Sequence, residues 1–313
     1  MKNKSSHTVI YILISLVIIS AFIYYLINNA DKYQELLKIS GPEVFILFAI
    51  SLAFPIVNGM QNTYIYRGLG LDDFSYWDGF LITAASTLVN QLPVPGGILS
   101  RGYYLKRKHN LTYTKFASST FAIFFCSLAI NGLIGLIALI YWKVSTGNTL
   151  PIILLVAFIG MLIPILVFWI PLDRIKLPEK IQRWSHQAVE GWMMIGRNPG
   201  LLIKLTISQA VLVVLLSFRY LIAFRMLSQN VTLSQTLLFA SASILTQLVS
   251  IAPGGLGVRE AIVAAVATVL GFDTGTSVVA VSLDRLVVTV VIVLTGWVSI
   301  MILGKQISDM PAE

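Results

Sequence analysis

Charge is scarce in this chain: Asp, Glu, Lys and Arg make up 12% of 313 residues, about half their share in an ordinary soluble domain. A soluble globular fold is thereby excluded, and no hydrophilic stretch is long enough to hold a soluble catalytic domain. Cysteine is nearly absent. Cys126 stands alone within an apolar run, so no disulfide framework exists and a buried structural thiol is expected. The three histidines, His7, His109 and His186, are scattered, with no His-Glu-x-x-His and no cysteine pair, so neither a metal site nor a cofactor is expected. Gly-x-Ser-x-Gly and Walker loops are missing too. The sequence therefore carries no familiar enzyme signature, and an enzyme is not the expectation.

What is present is apolar. Hydrophobic residues account for 57% of the chain and the mean hydropathy is +0.83, which identifies an all-α polytopic membrane protein. Stretches near the roughly 20 residues of a bilayer crossing lie at 8–27, 42–66, 115–142, 151–170, 201–224 and 277–303. The first follows Lys2 and Lys4 but is too long for a signal core, so it is expected to be a retained span. Shorter apolar stretches at 79–92 and 237–251 each run into a break, and their length fits re-entrant segments.

The breaks are alike. One reads Val94-Pro95-Gly96-Gly97-Ile98 with Arg101, the other Ala252-Pro253-Gly254-Gly255-Leu256 with Arg259. They lie 158 positions apart (253 − 95), and the same offset sets Arg67 on Arg225, Ala84-Ala85 on Ala242-Ser243, and 115–142 on the final span. A gapless register of that extent indicates duplication within one membrane domain, 1–313, with half-repeats at 1–145 and 151–305.

Lysine and arginine set the orientation. Arg101, Lys106, Arg107, Lys108 and Lys115 mark one cytoplasmic loop, and Arg174, Lys176, Lys180, Arg183 and Arg197 another, although Asp72, Asp73 and Asp78 fall on the cytoplasmic side as well. Both termini are then cytoplasmic in the inner cell membrane. The loops agree with six full spans plus two re-entrant hairpins. Three crossings per half invert the second repeat. The alternative is eight full spans. Segment 178–197 is amphipathic, with Ile181, Trp184, Ala188, Trp192 and Ile195 at helical spacing, and is expected to lie on the cytoplasmic leaflet as a linker between the halves. The net charge of +8 follows from this topology, so no nucleic-acid partner is expected.

Proline ends a helix and paired glycines allow positive φ, so each break is expected to be a tight turn at membrane depth, around Pro95, Gly96, Gly97 and around Pro253, Gly254, Gly255, Gly257. Half-helix ends aimed into the membrane suit an anionic group. The other reading is a packing corner. Arg101, Arg259, Glu260, Asp284 and Arg285 are charges in membrane segments, with Arg219 on the fifth span, and must face protein or water. They form either a packing network or a phosphate-recognition site, to which the forked guanidinium is well suited. Asn90, Gln91 and Gln247, before the breaks, either line a polar path or cross-link helices.

The run Ala252-Pro253-Gly254-Gly255-Leu256-Gly257-Val258-Arg259-Glu260-Ala261 resembles the signature of the lysylphosphatidylglycerol synthase transmembrane region family, a flippase-like membrane domain. Pro95-Gly96-Gly97 with Arg101 to Lys108 is similar to that family's earlier basic motif, except that Leu99 and Ser100 stand where a glycine or acidic residue is expected. The resemblance implies a membrane region that moves an aminoacylated phospholipid between leaflets. The soluble synthase domain of two-domain members is not expected, since the chain ends at Glu313 soon after the last span. Stand-alone relatives imply a membrane lipid or lipid-linked glycan as substrate and separate lipid-modifying or glycosyl-transfer enzymes as partners. Two other readings stay open: a membrane enzyme using Glu260 and Asp284 as acid and base, and a non-catalytic assembly subunit of an envelope glycan or lipid pathway.

Overall fold

A computed structural model describes residues 41–91, 96–166, 196–248, 255 and 257–308. The expected span at 8–27, nearly all of the linker at 178–197, and the tips Pro95, Pro253 and Gly254 lie outside the described residues. Within them the chain is helical and has no strands. The first half runs through α1 (Gly41–Gly68), α2 (Tyr76–Val89), α3 (Gly96–His109) and α4 (Tyr113–Thr146). Two short pieces follow, α5 (Ile152–Gly160) and α6 (Ile163–Leu166). The second half comprises α7 (Pro199–Met226), α8 (Leu233–Ala242) continued by a 3₁₀ turn at Ser243–Gln247, α9 (Val258–Val269) and α10 (Thr274–Ser308).

Four of these helices, α1, α4, α7 and α10, are long and apolar enough to cross a bilayer, and they fall on four expected spans. The expected span at 151–170 is different. Its described part is broken, with α5 ending at Gly160 and α6 starting at Ile163. Pro164 has no N–H to offer the Gly160 carbonyl, and its ring crowds that turn.

Sequence explains where the helices start and stop. Ser75 caps α2 by accepting the Asp78 N–H at 2.9 Å. Thr232 and Gln235 form a reciprocal capping box on α8. Gly147, at φ 71°, closes α4 in the left-handed region. The α2 and α3 helices have 14 residues each, about 21 Å, short of a hydrocarbon core of about 30 Å. An ion pair of 3.0 Å between Asp78 near the start of α2 and Lys108 near the end of α3 brings the two ends together. In the second half Phe272, just past α9, packs on Phe224 at the end of α7 and on Phe239 of α8.

Element positions recur along the chain. Helices α1 and α7 are both 28 residues long and lie 158 positions apart at both ends. The short pairs and the long α4 and α10 keep this register within four residues. Packing is reciprocal: α1 lies against α7, α2 of the first half rests on α10 of the second, and α8 of the second rests on α4 of the first.

Small residues allow these approaches. A Cβ on Gly59 of α1 would sit 2.7 Å from the Phe80 Cα of α2, and one on Gly296 of α10 would sit 2.5 Å from the Leu88 Cβ. The equivalent α7–α8 contact instead carries a Ser217–Thr236 hydroxyl pair at 2.8 Å. Apolar side chains cover the surface as well as the core, and several strongly polar ones are buried. Phe45, Ile137, Tyr141, Val144 and Trp297 are exposed, whereas Gln61, Asn62, Gln209, Arg219 and Asp284 are buried.

The Gly59 contact generates a prediction. Gly59→Val meets backbone and costs about 1–3 kcal/mol, while Gly160→Ala, with nothing within 4 Å, changes stability by less than about 0.5 kcal/mol. Thermal melting in detergent measures both, and equal melting of the two variants would contradict the packing described.

Candidate functional site

The second break delivers two charged residues into the interior. Gly255 and Gly257 have φ of 69° and 78°, a region that glycine alone occupies cheaply. A Cβ on Gly255 would also meet the Thr246 Cγ2 at 2.6 Å. The chain then enters α9, which places Arg259 and Glu260 on its first turn, where the helix dipole favours the carboxylate. Glu260 is 1% exposed, and its Oε1 accepts a hydrogen bond from Arg285 Nη1 of α10 at 2.9 Å. The same Nη1 donates to the Gly255 carbonyl at 3.2 Å, tying α10 to the break.

One residue earlier on α10, Asp284 receives both arms of Arg219 from α7. Nε reaches Oδ1 at 2.8 Å and Nη2 reaches Oδ2 at 2.6 Å, with both side chains at most 2% exposed. Arg219 also lies over the Phe54 ring at 5.6 Å. The pairing is crossed: neither carboxylate is bound by the arginine beside it in sequence. Neighbouring positions on a helix point about 100° apart, so adjacent side chains meet different helices. Tyr220 of α7 bonds to Ser243 at 2.9 Å and feels the charges of Arg259, Asp284 and Arg219.

The two pairs differ in completeness. Asp284 has a donor on each oxygen, but Glu260 Oε2 is buried without a hydrogen-bond partner among the described residues. Arg259 Nε, Ser241 Oγ and Thr246 Oγ1 are in the same condition, and all four lie in the α8–break–α9 unit. Each such group costs about 1–3 kcal/mol unless something pairs with it. Four of the six such atoms among the described residues are concentrated in this unit.

The first half is neutral where the second is charged. At the positions of Arg219, Asp284, Arg285 and Glu260 it carries Gln61, Cys126, Ser127 and Gly102, and only Arg101 repeats Arg259. Arg101 Nη1 donates to Asn62 Oδ1 at 3.1 Å, its guanidinium lies over Phe116 at 5.7 Å, and its Nε is buried without a hydrogen-bond partner. Asn62 in turn donates to Thr83 at 3.0 Å. Gln209 receives bonds from Gln61 at 3.1 Å and Ser127 at 2.9 Å, joining the two halves. At the break, Asn90 Oδ1 takes the Gly97 N–H at 3.0 Å, and a Cβ on Gly97 would collide with the Ser86 carbonyl. Gly96 opens α3. At the far end of α3, burial disfavours the Lys108 ammonium. The Tyr104 hydroxyl and the Asp78 carboxylate outweigh that effect and hold its pKa above the ordinary lysine value.

Sequence-expected residues thus fall into three groups: Gly255, Glu260 and Arg285; Arg219 and Asp284; and Gly97 with Asn90, near Arg101. Gln247 faces outward, Gln91 is half-buried, and Thr246 is the buried polar neighbour of the second break. Asn62, Gln61, Gln209, Ser127 and Tyr220 were not anticipated. The repeat register offered a signal, since Gln61 and Asn62 align with Arg219 and Tyr220. The walls of the cavity expected between the breaks include 92–95 and 249–254, outside the described residues. The described surface has a depression of about 500 Å³ lined by Arg225, Ser228, Gln229, Asn230, Val231 and Thr232, none of them an expected site residue.

A family model described as the lysylphosphatidylglycerol synthase TM region matches residues 12–296. The chain therefore belongs to that family. No curated protein and no solved structure gives a significant match.

The Arg219–Asp284 pair can be tested apart from any ligand. Asp284→Asn leaves a buried guanidinium without its counter-charge and lowers stability by about 3–5 kcal/mol, whereas the Arg219→Leu/Asp284→Leu double variant recovers most of the loss. Thermal melting in detergent reads both, and a double variant no better than the single one would refute a mutually compensating pair.

Proposed function

We propose that this family member moves a phospholipid or lipid-linked precursor with an anionic headgroup between the leaflets of the cytoplasmic membrane. The observation that carries the proposal is the set of arginines at the second break, Arg259 and Arg285, which lie beside buried polar atoms without partners. A phosphodiester headgroup supplies the missing acceptors, and a guanidinium grips it in two places while remaining charged. Within this reading the short helix pairs are re-entrant hairpins and the halves are inverted repeats. The fixed contact between α1 and α7 lets one half rock against the other around the site. Both termini are cytoplasmic. An acid–base enzyme using Glu260 and Asp284 is the weaker reading, because both Asp284 oxygens are held by Arg219.

Two experiments follow. In proteoliposomes, Arg259→Ala and Arg285→Ala each lower transbilayer headgroup movement at least about tenfold, the loss expected for one hydrogen bond to a charged group; unchanged rates in both variants would remove the site from the mechanism. For the topology, single cysteines are introduced on a Cys126→Ser background and labelled with an impermeant thiol reagent. Asp73→Cys and Asn110→Cys react from one face, Asn230→Cys and Thr274→Cys from the other. Reaction of either pair from opposite faces would show that the corresponding short helices cross fully.

A further inference from the structure

The two buried carboxylates of the second half sit in opposite conditions. Asp284 is saturated by a two-armed arginine. Glu260 is equally buried, but it is held by one nitrogen of Arg285 through one oxygen, and its other oxygen has no hydrogen-bond partner among the described residues. That nitrogen is shared with the Gly255 carbonyl of the break, so it is already divided between two acceptors. Leaving that second oxygen unpaired at 1% exposure is costly. Glu260 and Arg259 act on Arg285 of α10, and Arg259, Asp284 of α10 and Arg219 act on the neutral Tyr220 of α7, so these five charges share one neighbourhood. The nearby polar groups of α8 and its 3₁₀ turn, Ser241, Ser243 and Thr246, are hydroxyls without charge. Three arginines against two carboxylates leave the cluster at +1.

We propose that Glu260 is a proton-binding site coupled to the anion: a phosphodiester takes over Arg285 as Glu260 accepts one proton from water and lets Arg285 go. The proposal rests on the transport reading and deepens it by naming the co-transported species. The exchange balances. One proton forms an O–H bond on the Glu260 carboxylate, and the phosphodiester monoanion enters as that negative charge is neutralised. The cluster therefore holds the same net charge before and after. Without the proton, the incoming anion would face an ionised carboxylate in a low-dielectric setting. Without the anion, a protonated Glu260 would leave Arg285 short of counter-charge. Each ligand thus favours the other, and the coupling is reciprocal.

The test is binding calorimetry on purified full-length protein in detergent, repeated in buffers of different ionisation enthalpy so that protons taken up per ligand are counted. The probes are dihexanoylphosphatidylglycerol and dimethyl phosphate, phosphodiesters that do not titrate near neutral pH. Wild type is expected to take up about one proton per bound lipid. Its apparent affinity rises about tenfold per unit fall in pH wherever that uptake is seen. Glu260→Gln keeps an acceptor for Arg285, takes up no proton and binds independently of pH, and Glu260→Asp retains the uptake. Uptake with dimethyl phosphate as well as with the lipid assigns recognition to the phosphodiester alone; uptake only with the lipid adds the acyl chains, and either supports the exchange. No binding of either probe, lipid binding without proton uptake, or unchanged uptake in Glu260→Gln overturns it. If Glu260→Gln does not fold, the wild-type proton count alone decides. Transport is judged separately in vesicles: binding and proton uptake without headgroup movement would reject translocation while leaving the proton site standing.

Discussion

Every polar group that this chain carries into hydrocarbon must find its partner within the protein, and the rest of the structure follows from that constraint. Water is not available there to satisfy an amide or a guanidinium. Gln61, Gln209 and Ser127 therefore bond to one another, Asn62 bridges Thr83 and Arg101, and Arg219 closes on Asp284. Apolar side chains fill both the interior and the outer surface, where lipid tails receive them. Interhelical contact then depends on close fit. Glycines at the α1–α2 and α2–α10 crossings provide it in one half, and a hydroxyl pair at α7–α8 provides it in the other.

The halves share a framework but not a chemistry. Elements recur 158 positions apart, and each half lends its long fourth helix to the other's first short helix. At the positions of Arg219, Asp284, Arg285 and Glu260 the first half carries the uncharged Gln61, Cys126, Ser127 and Gly102, while Arg101 repeats the charge of Arg259. A neutral network costs less to bury and fixes packing. A charged one is tolerated only where each charge is paired or something else completes it. Among the described residues four of the buried polar atoms without a hydrogen-bond partner lie in the second half and two, the Arg101 Nε and the His109 Nε2, in the first.

Much of the framework was legible in the sequence, because length and hydropathy report directly on bilayer crossings. Four spans and the short helices beside the two breaks could be read that way. The broken helix near Gly160 was less apparent, since a hydrophobic run conceals the one residue, Pro164, that interrupts it. The site was legible as a set of residue types but not as a set of partners. Arg259 stands beside Glu260, and Asp284 beside Arg285, but helical geometry sends adjacent side chains to different helices. The pairing is decided by which helix lies opposite, and that is a property of the tertiary packing of α7, α9 and α10.

The adjacency of Asp284 and Arg285 then takes on a physical meaning. A residue that is to exchange partners needs a rigid base, because a displaced side chain on a mobile helix would simply follow its old partner. The two-armed Arg219 contact fixes α10 against α7 at Asp284, one residue before the exchangeable arginine. Arg285 is thereby presented at a fixed height facing the second break, with the Gly255 carbonyl and Glu260 as its acceptors. The saturated pair gives up any chance of binding a ligand and gains position. Under the proposed exchange Glu260, with one oxygen lacking a partner among the described residues, keeps that capacity, and the division of labour between the two carboxylates follows from the number of donors each receives.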